Sequence, residues 1–194
     1  MGRSWKQIVP AAVAGLCVGA LVTAMAVGQP GGDATRVRNQ GEPVAQHGEL
    51  VKLAGEYTTA SKLFISDGDD AIESEGTAKV TAIMDGRFIS IDETGETLGS
   101  AFRSQKIWGF NGAAGKYESV WLYTGSTAMT RLSGKAAEGG KTVKLEGSFE
   151  DGDGETRYAV EFSWAEGKGF KVVQTALNAD GTSGVRVETV YTRR

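Results

Sequence analysis

One cysteine and one histidine stand in 194 residues, and each scarcity removes a class of answers. The cysteine, Cys17, lies in an apolar run near the N-terminus, so the rest of the chain carries no thiol. Disulfide frameworks and thiolate metal sites are thereby excluded from it. A lack of cysteine is compatible with an oxidising compartment without requiring one. His47 would have to serve any Ser-His-Asp or Cys-His device, yet it stands where a polar tether meets the first patterned segment. That position reads as a cap or a surface role, and one histidine does not make a His-based metal centre. No Gly-x-Ser-x-Gly elbow is present either. Clusters of Lys and Arg are also missing, and the net charge is −3 with a pI near 5.3, which argues against nucleic acid as a partner.

Proline is scarce at 3 residues while glycine reaches 28, a balance that favours many tight turns between strands over a helical bundle. With 40% apolar and 23% charged residues the chain has enough material for a core, and its length suits one domain plus an extension.

The extension is the N-terminus. Arg3 and Lys6 precede an uncharged apolar stretch from Ile8 to Val27, and Ala24-Met25-Ala26 has the small-x-small pattern of an export cleavage site. Residues 1–26 therefore read as a signal peptide or as an N-terminal membrane anchor, since about 20 apolar residues also span a bilayer. In both readings the remainder is exported, to the periplasm or beyond, and membrane contact is confined to residues 8–27 of an uncleaved chain. Residues 27–46 lack periodicity and read as a flexible linker, followed by a helical turn over 49–53.

From there to the end, over 47–194, the pattern has period two. Strands are predicted at 55–66, 72–84, 86–94, 101–110, 116–124, 126–136, 142–150, 156–165, 168–177 and 185–193. Short turns at Asp85-Gly86, Asn111-Gly112, Glu138-Gly139-Gly140 and Asp180-Gly181 join antiparallel neighbours. The expected fold class is all-β, an antiparallel up-and-down β-barrel of about ten strands, since closure removes exposed edges. Tyr158, Val160, Phe162 and Trp164 alternate with Arg157, Glu161 and Ser163, and the same holds for Tyr117, Ser119, Trp121 and Tyr123 against Lys116 and Glu118. An apolar inner face and a charged outer face suit a water-soluble barrel and oppose an outer-membrane one.

The inward aromatics Trp108, Trp121, Tyr123, Phe162 and Trp164 either line a ligand cavity or fill the interior, and alternation alone leaves both open. Ser119, Arg131 and, less directly, Lys106 are read on or near the inward face; an inward Arg131 would need a carboxylate or an anionic ligand, and the other reading is a strand-end Arg that reaches solvent. The candidate ligand-binding set is therefore Trp108, Trp121, Tyr123, Arg131 and Phe162, with no catalytic, metal or cofactor residues expected. The Asp-rich turns Asp67-Gly68-Asp69-Asp70 and Asp151-Gly152-Asp153-Gly154-Glu155 do not match a calcium loop. Gly139-Gly140-Lys141-Thr142 has Lys135 where a phosphate loop needs its first glycine, and it joins two strands.

Leu53-Ala54-Gly55-Glu56-Tyr57, Ser61-Lys62-Leu63-Phe64, Glu75-Gly76-Thr77-Ala78 and Gly86-Arg87-Phe88-Ile89 together resemble the bacterial domain-of-unknown-function family numbered 1579 (DUF1579). Trp108-Gly109-Phe110-Asn111, Lys116-Tyr117, Ser119-Val120-Trp121 and the closing Tyr191-Thr192-Arg193 extend the likeness over about 47–194. Tyr57 departs from the family's usual Trp, and Leu122-Tyr123-Thr124 replaces a more acidic stretch. The resemblance implies a lipocalin-like barrel, often with an export signal, and no agreed activity. Three roles are then open. The leading one is a non-enzymatic binder of a small apolar or lipid-like ligand. The others are a structural or interaction module of the cell envelope, and an enzyme working through carboxylates such as Glu73, Glu75 or Asp92.

Overall fold

The computed structural model describes residues 41–66, 68–151, 154–165, 169–178 and 180–194. Residues 1–26, expected as a signal peptide or anchor, and most of 27–46, expected as a linker, lie outside the described residues. A short helix, α1 (Ala45–Val51), precedes ten strands. These are β1 (Gly55–Phe64), β2 (Ile72–Ile83), β3 (Phe88–Thr97), β4 (Ser100–Asn111), β5 (Lys116–Tyr123), β6 (Thr130–Ala136), β7 (Thr142–Asp151), β8 (Gly154–Ala165), β9 (Gly169–Leu177) and β10 (Ser183–Arg193). Each strand pairs antiparallel with its neighbour in sequence, and β1 pairs with β10 from Tyr57 opposite Arg193 to Phe64 opposite Arg186. The result is a closed up-and-down barrel.

All ten expected strands are present, with three local differences. The helix begins at Ala45 and ends at Val51, earlier than the expected 49–53. His47 moves it: its Nδ1 accepts the Val44 amide at 2.9 Å, while its own amide donates to Val44 O at 2.9 Å. This reciprocal pair satisfies groups that a helix start otherwise leaves open. The β3–β4 connection is a two-residue turn at Leu98 (φ 50°) and Gly99 (φ 74°), tighter than the loop expected there. The strand expected from 126 starts only at Thr130. The segment before it is held as a loop, with Thr124 N donating to Arg103 O at 3.0 Å and Ala128 N to Ser126 Oγ at 3.0 Å. Ser and Thr hydroxyls compete there with the ladder for backbone amides.

The two ends of the barrel differ. At one end α1 packs on β3 and β4 and buries Leu50 and Leu53. Tyr57 Oη donates to Leu53 O at 2.6 Å, and Arg193 donates to Ala54 O at 2.9 Å and Lys52 O at 2.7 Å, so the first and last strands hold the helix end. Above the helix the interior is solid. Trp108 and Phe162 rings lie 4.9 Å apart, Phe162 and Phe170 4.9 Å, and Phe170 and Tyr191 4.1 Å, with Tyr57 edge-on to Phe170 at 5.2 Å. Val143, Leu145 and Val160 complete this layer. Glycine tightens the β6–β7 corner: a Cβ on Gly134 would lie 1.8 Å from Lys144 O, and one on Gly147 1.8 Å from Arg131 O. Any side chain at either position would push the two strands apart.

Candidate functional site in the open half of the barrel

Toward the other end the same strands present smaller side chains, and a cavity of about 790 Å³ remains. That size is in the range of small-molecule sites, roughly 300–1,000 Å³. Its walls are unlike each other. Strands β1 to β4 contribute Ser61, Ser74, Glu93, Ser104 and Lys106, with Leu63 and Phe102 as the apolar exceptions. Strands β7 to β10 contribute Phe149, Tyr158, Val172, Ala176, Val185 and Val187, with Gln174 and Thr189 as the polar ones. Trp121 and Tyr123 on β5 and the 124–128 loop complete the rim.

The floor of the cavity carries a buried polar cluster. Glu93 follows Ile89 and Ile91 on the inward face of β3, and register sets Ser104 opposite Glu93 and Lys106 opposite Ile91. Lys106 Nζ lies 2.6 Å from Glu93 Oε2. Tyr191 Oη donates to the same oxygen at 3.0 Å, Ser104 Oγ donates to it at 3.3 Å, and Lys106 Nζ also donates to Tyr191 Oη at 3.0 Å. The ammonium stands 5.3 Å from the Trp121 ring centre, within reach of cation–π attraction. The Glu93 and Lys106 side chains are 3% and 12% exposed, so water screens this pair little.

Burial by itself would raise the Glu93 carboxyl, but Lys106, with Tyr191 and Ser104, outweighs it and holds the group below the ordinary carboxylate value. Burial would likewise lower Lys106, and the charge of Glu93 reverses that and raises it. Tyr191 is raised, chiefly by burial. At neutral pH the cluster is therefore an ion pair with a protonated phenol.

The expected site residues divide between the two halves. Trp121 and Tyr123 border the cavity, Trp121 with its Nε1 donating to Ser119 Oγ at 2.7 Å and Tyr123 with its ring 6.0 Å from that of Phe102. Trp108 and Phe162 do not border it; they are 1% and 0% exposed in the packed half. Trp164 is partly buried against the same core and edges a smaller hollow of about 440 Å³ beside α1. Arg131 takes the solvent-facing of its two readings and so drops out of the candidate ligand-binding set. It pairs with Val120 and Ser148, lies exposed on the outer face, and leaves the inward position to Leu132. Pairing with β5 decides this: Leu132 stands opposite inward Ser119, and Arg131 opposite Val120 on the other face.

The carboxylates considered for catalysis also face outward. Glu73 pairs with Lys62 at 3.1 Å, Glu75 is exposed, and Asp92 accepts from Ser90 at 3.0 Å and Gln105 at 3.0 Å. The inward carboxylate is Glu93. The alternation Ile89, Ile91, Glu93 marks it in the sequence, had the period been followed through a charged residue. Among the described residues no group of His, Cys, Asp and Glu is placed to hold a metal ion, and no helix is long and apolar enough to cross a membrane. His47, buried at the helix start and edge-on to Phe110 at 6.0 Å, caps and packs.

The fold is found elsewhere. The crystal structure of Rv2717c from M. tuberculosis superposes with a TM-score of 0.54 at 11% identity, covering 79% of this chain and 99% of that one. At that identity the likeness speaks for the barrel alone. Among curated proteins none matches the chain. The family model described as "Protein of unknown function (DUF1579)" matches residues 42–193, from just before α1 to the end of β10, and the chain belongs to that family.

Proposed function

We propose that this protein is a non-enzymatic binding barrel that holds a small, partly apolar or lipid-like molecule in the open half of its interior, outside the cytoplasm. The observation that carries the reading is a cavity of about 790 Å³ with a largely apolar wall on β7 to β10 and a hydrogen-bonding floor at Glu93 and Lys106. Apolar walls supply the driving force for such a ligand, and a few fixed polar groups set its orientation. Around the mouth Ile65, Ile72, Leu98, Tyr123, Met129 and Val185 stand exposed, an apolar approach to the interior. The export half of the proposal is supported by Arg3, Lys6, the apolar run and Ala24-Met25-Ala26.

The test is binding of the neutral fluorophore N-phenyl-1-naphthylamine to the full chain. A saturable, one-to-one rise in emission is expected, and Ala176→Trp, which fills the cavity from β9, should abolish it while the circular dichroism stays unchanged. Emission that is absent, or untouched in the folded Ala176→Trp variant, would refute the cavity as the site. The same exposed mouth favours one second reading, an interaction module of the cell envelope working through its rim. Failure of the fluorophore to bind would move weight to it.

A further inference from the structure

The floor of the cavity has hydrogen-bonding capacity left over on both members of the ion pair. Three donors converge on Glu93 Oε2, from Lys106, Tyr191 and Ser104, and among the described residues none reaches Oε1. The Lys106 ammonium has three N–H groups, of which two are engaged, by Glu93 Oε2 and Tyr191 Oη. One acceptor, and one N–H with only the Trp121 ring at 5.3 Å beside it, thus remain on a cavity-lining pair whose charges cancel. From this we infer that the ligand is an uncharged amphiphile bearing a hydroxyl group, which donates to Glu93 and accepts from Lys106.

A charged head group fits this floor poorly for opposite reasons. A carboxylate gains Lys106 but lies beside the Glu93 charge, which in this half-dry setting is weakly screened. An ammonium gains Glu93 and meets Lys106 in the same way. Either one also gives up its own hydration, and a site of zero net charge returns little for that. A hydroxyl loses far less on leaving water and uses both unused positions. The serines of the polar wall, Ser61, Ser74 and Ser104, accommodate further polar atoms of the molecule, while Val172, Val185 and Val187 of β9 and β10 take its apolar part. The inference rests on the binding reading above and narrows it to a chemical class.

Three ten-carbon probes separate the possibilities: 1-decanol, decanoate and decylammonium, each displacing N-phenyl-1-naphthylamine from the full chain at pH 7. The alcohol is expected to bind at least ten-fold more tightly than either ion. Glu93→Gln, which leaves Lys106 uncompensated, should reverse the order of alcohol and carboxylate. Decanoate or decylammonium binding as tightly as decanol to the natural protein would overturn the inference, and so would an unchanged order in a folded Glu93→Gln. Should that variant fail to fold, Glu93→Leu combined with Lys106→Met replaces both charges by apolar volume. It should still bind decanol while losing most of its discrimination; undiminished discrimination would count against the pair as its source. Failure of the fluorophore itself to bind identifies a fault in the cavity reading instead.

Discussion

Position by position, the two halves of the barrel are the same strands read a few residues apart. β1 gives Tyr57 to the packed half and Ser61 to the hollow one; β4 gives Trp108 and then Ser104; β9 gives Phe170 and then Ala176; β10 gives Tyr191 and then Val187. The in–out alternation of the strands runs through both halves, so the contrast comes from which residues take the inward positions: rings in one half, serines, valines and the Glu93–Lys106 pair in the other. Where rings from several strands meet at one level, the interior closes to crystal-like density. Where serine, valine and alanine meet, a space is left that the surrounding sheet, closed on itself through β1 and β10, does not collapse to fill. One half thus stabilises the fold, and the other is free to accept a molecule.

The largest expected effect lies in the packed half. Phe162→Ala removes a ring touching Trp108, Trp164 and Phe170 and should cost about 3–5 kcal/mol in urea unfolding. Val187→Ala, whose side chain borders the cavity, should cost only about 1 kcal/mol or less, because fewer packing atoms are lost. Equal losses at the two positions would erase the contrast between the halves.

The ion pair at their boundary comes next. Lys106→Met strands Glu93 in a buried setting and should cost roughly 2–4 kcal/mol at pH 7. That loss should shrink on acidification, since a protonated Glu93 no longer needs the cation. In the natural protein the sign is opposite at the acid end. Glu93 titrates below its ordinary value of 4.5, so its stabilisation is complete above that pH and is lost as pH falls through the folded value. Lys106 is raised above 10.5, so its share is complete below that pH and is lost only as pH rises through the folded value. Unfolding curves from pH 3 to 9 for both proteins would show the crossing trends, and parallel curves would contradict a buried pair.

Smaller effects sharpen the picture at the edges. Leu98 holds φ at 50° in the β3–β4 turn while its side chain is 65% exposed. Leu98→Asn suits that left-handed backbone better and should add about 0.5–1 kcal/mol, read as a rise in Tm. Arg131→Ala on the outer face should change stability by less than about 0.5 kcal/mol and leave fluorophore binding untouched. A loss of binding there would return Arg131 to the site.

Much of this architecture is legible in the chain. Period two and the Asp-Gly and Asn-Gly turns are local signals, and they locate all ten strands. The misses are places where a local signal is weak or contested: Leu98 gives little notice of a left-handed turn, the hydroxyls of 124–128 divert amides from the ladder, and His47 starts α1 early through its own ring nitrogen. The site was legible in part. Trp121 and Tyr123 border the cavity because alternation orders one strand correctly. That Trp108 and Phe162 lie in the filled half depends on which residues share a level around ten strands, a property of register that no single segment encodes. Glu93 and Lys106 become a pair only when β3 and β4 are aligned.

Native mass spectrometry of the protein purified from its own host tests the hollow half as a binding site most directly. The expected result is a stoichiometric small-molecule adduct, released on denaturation and absent from Ala176→Trp. A clean apo mass in the natural protein, or an adduct that persists when the cavity is filled, would contradict it.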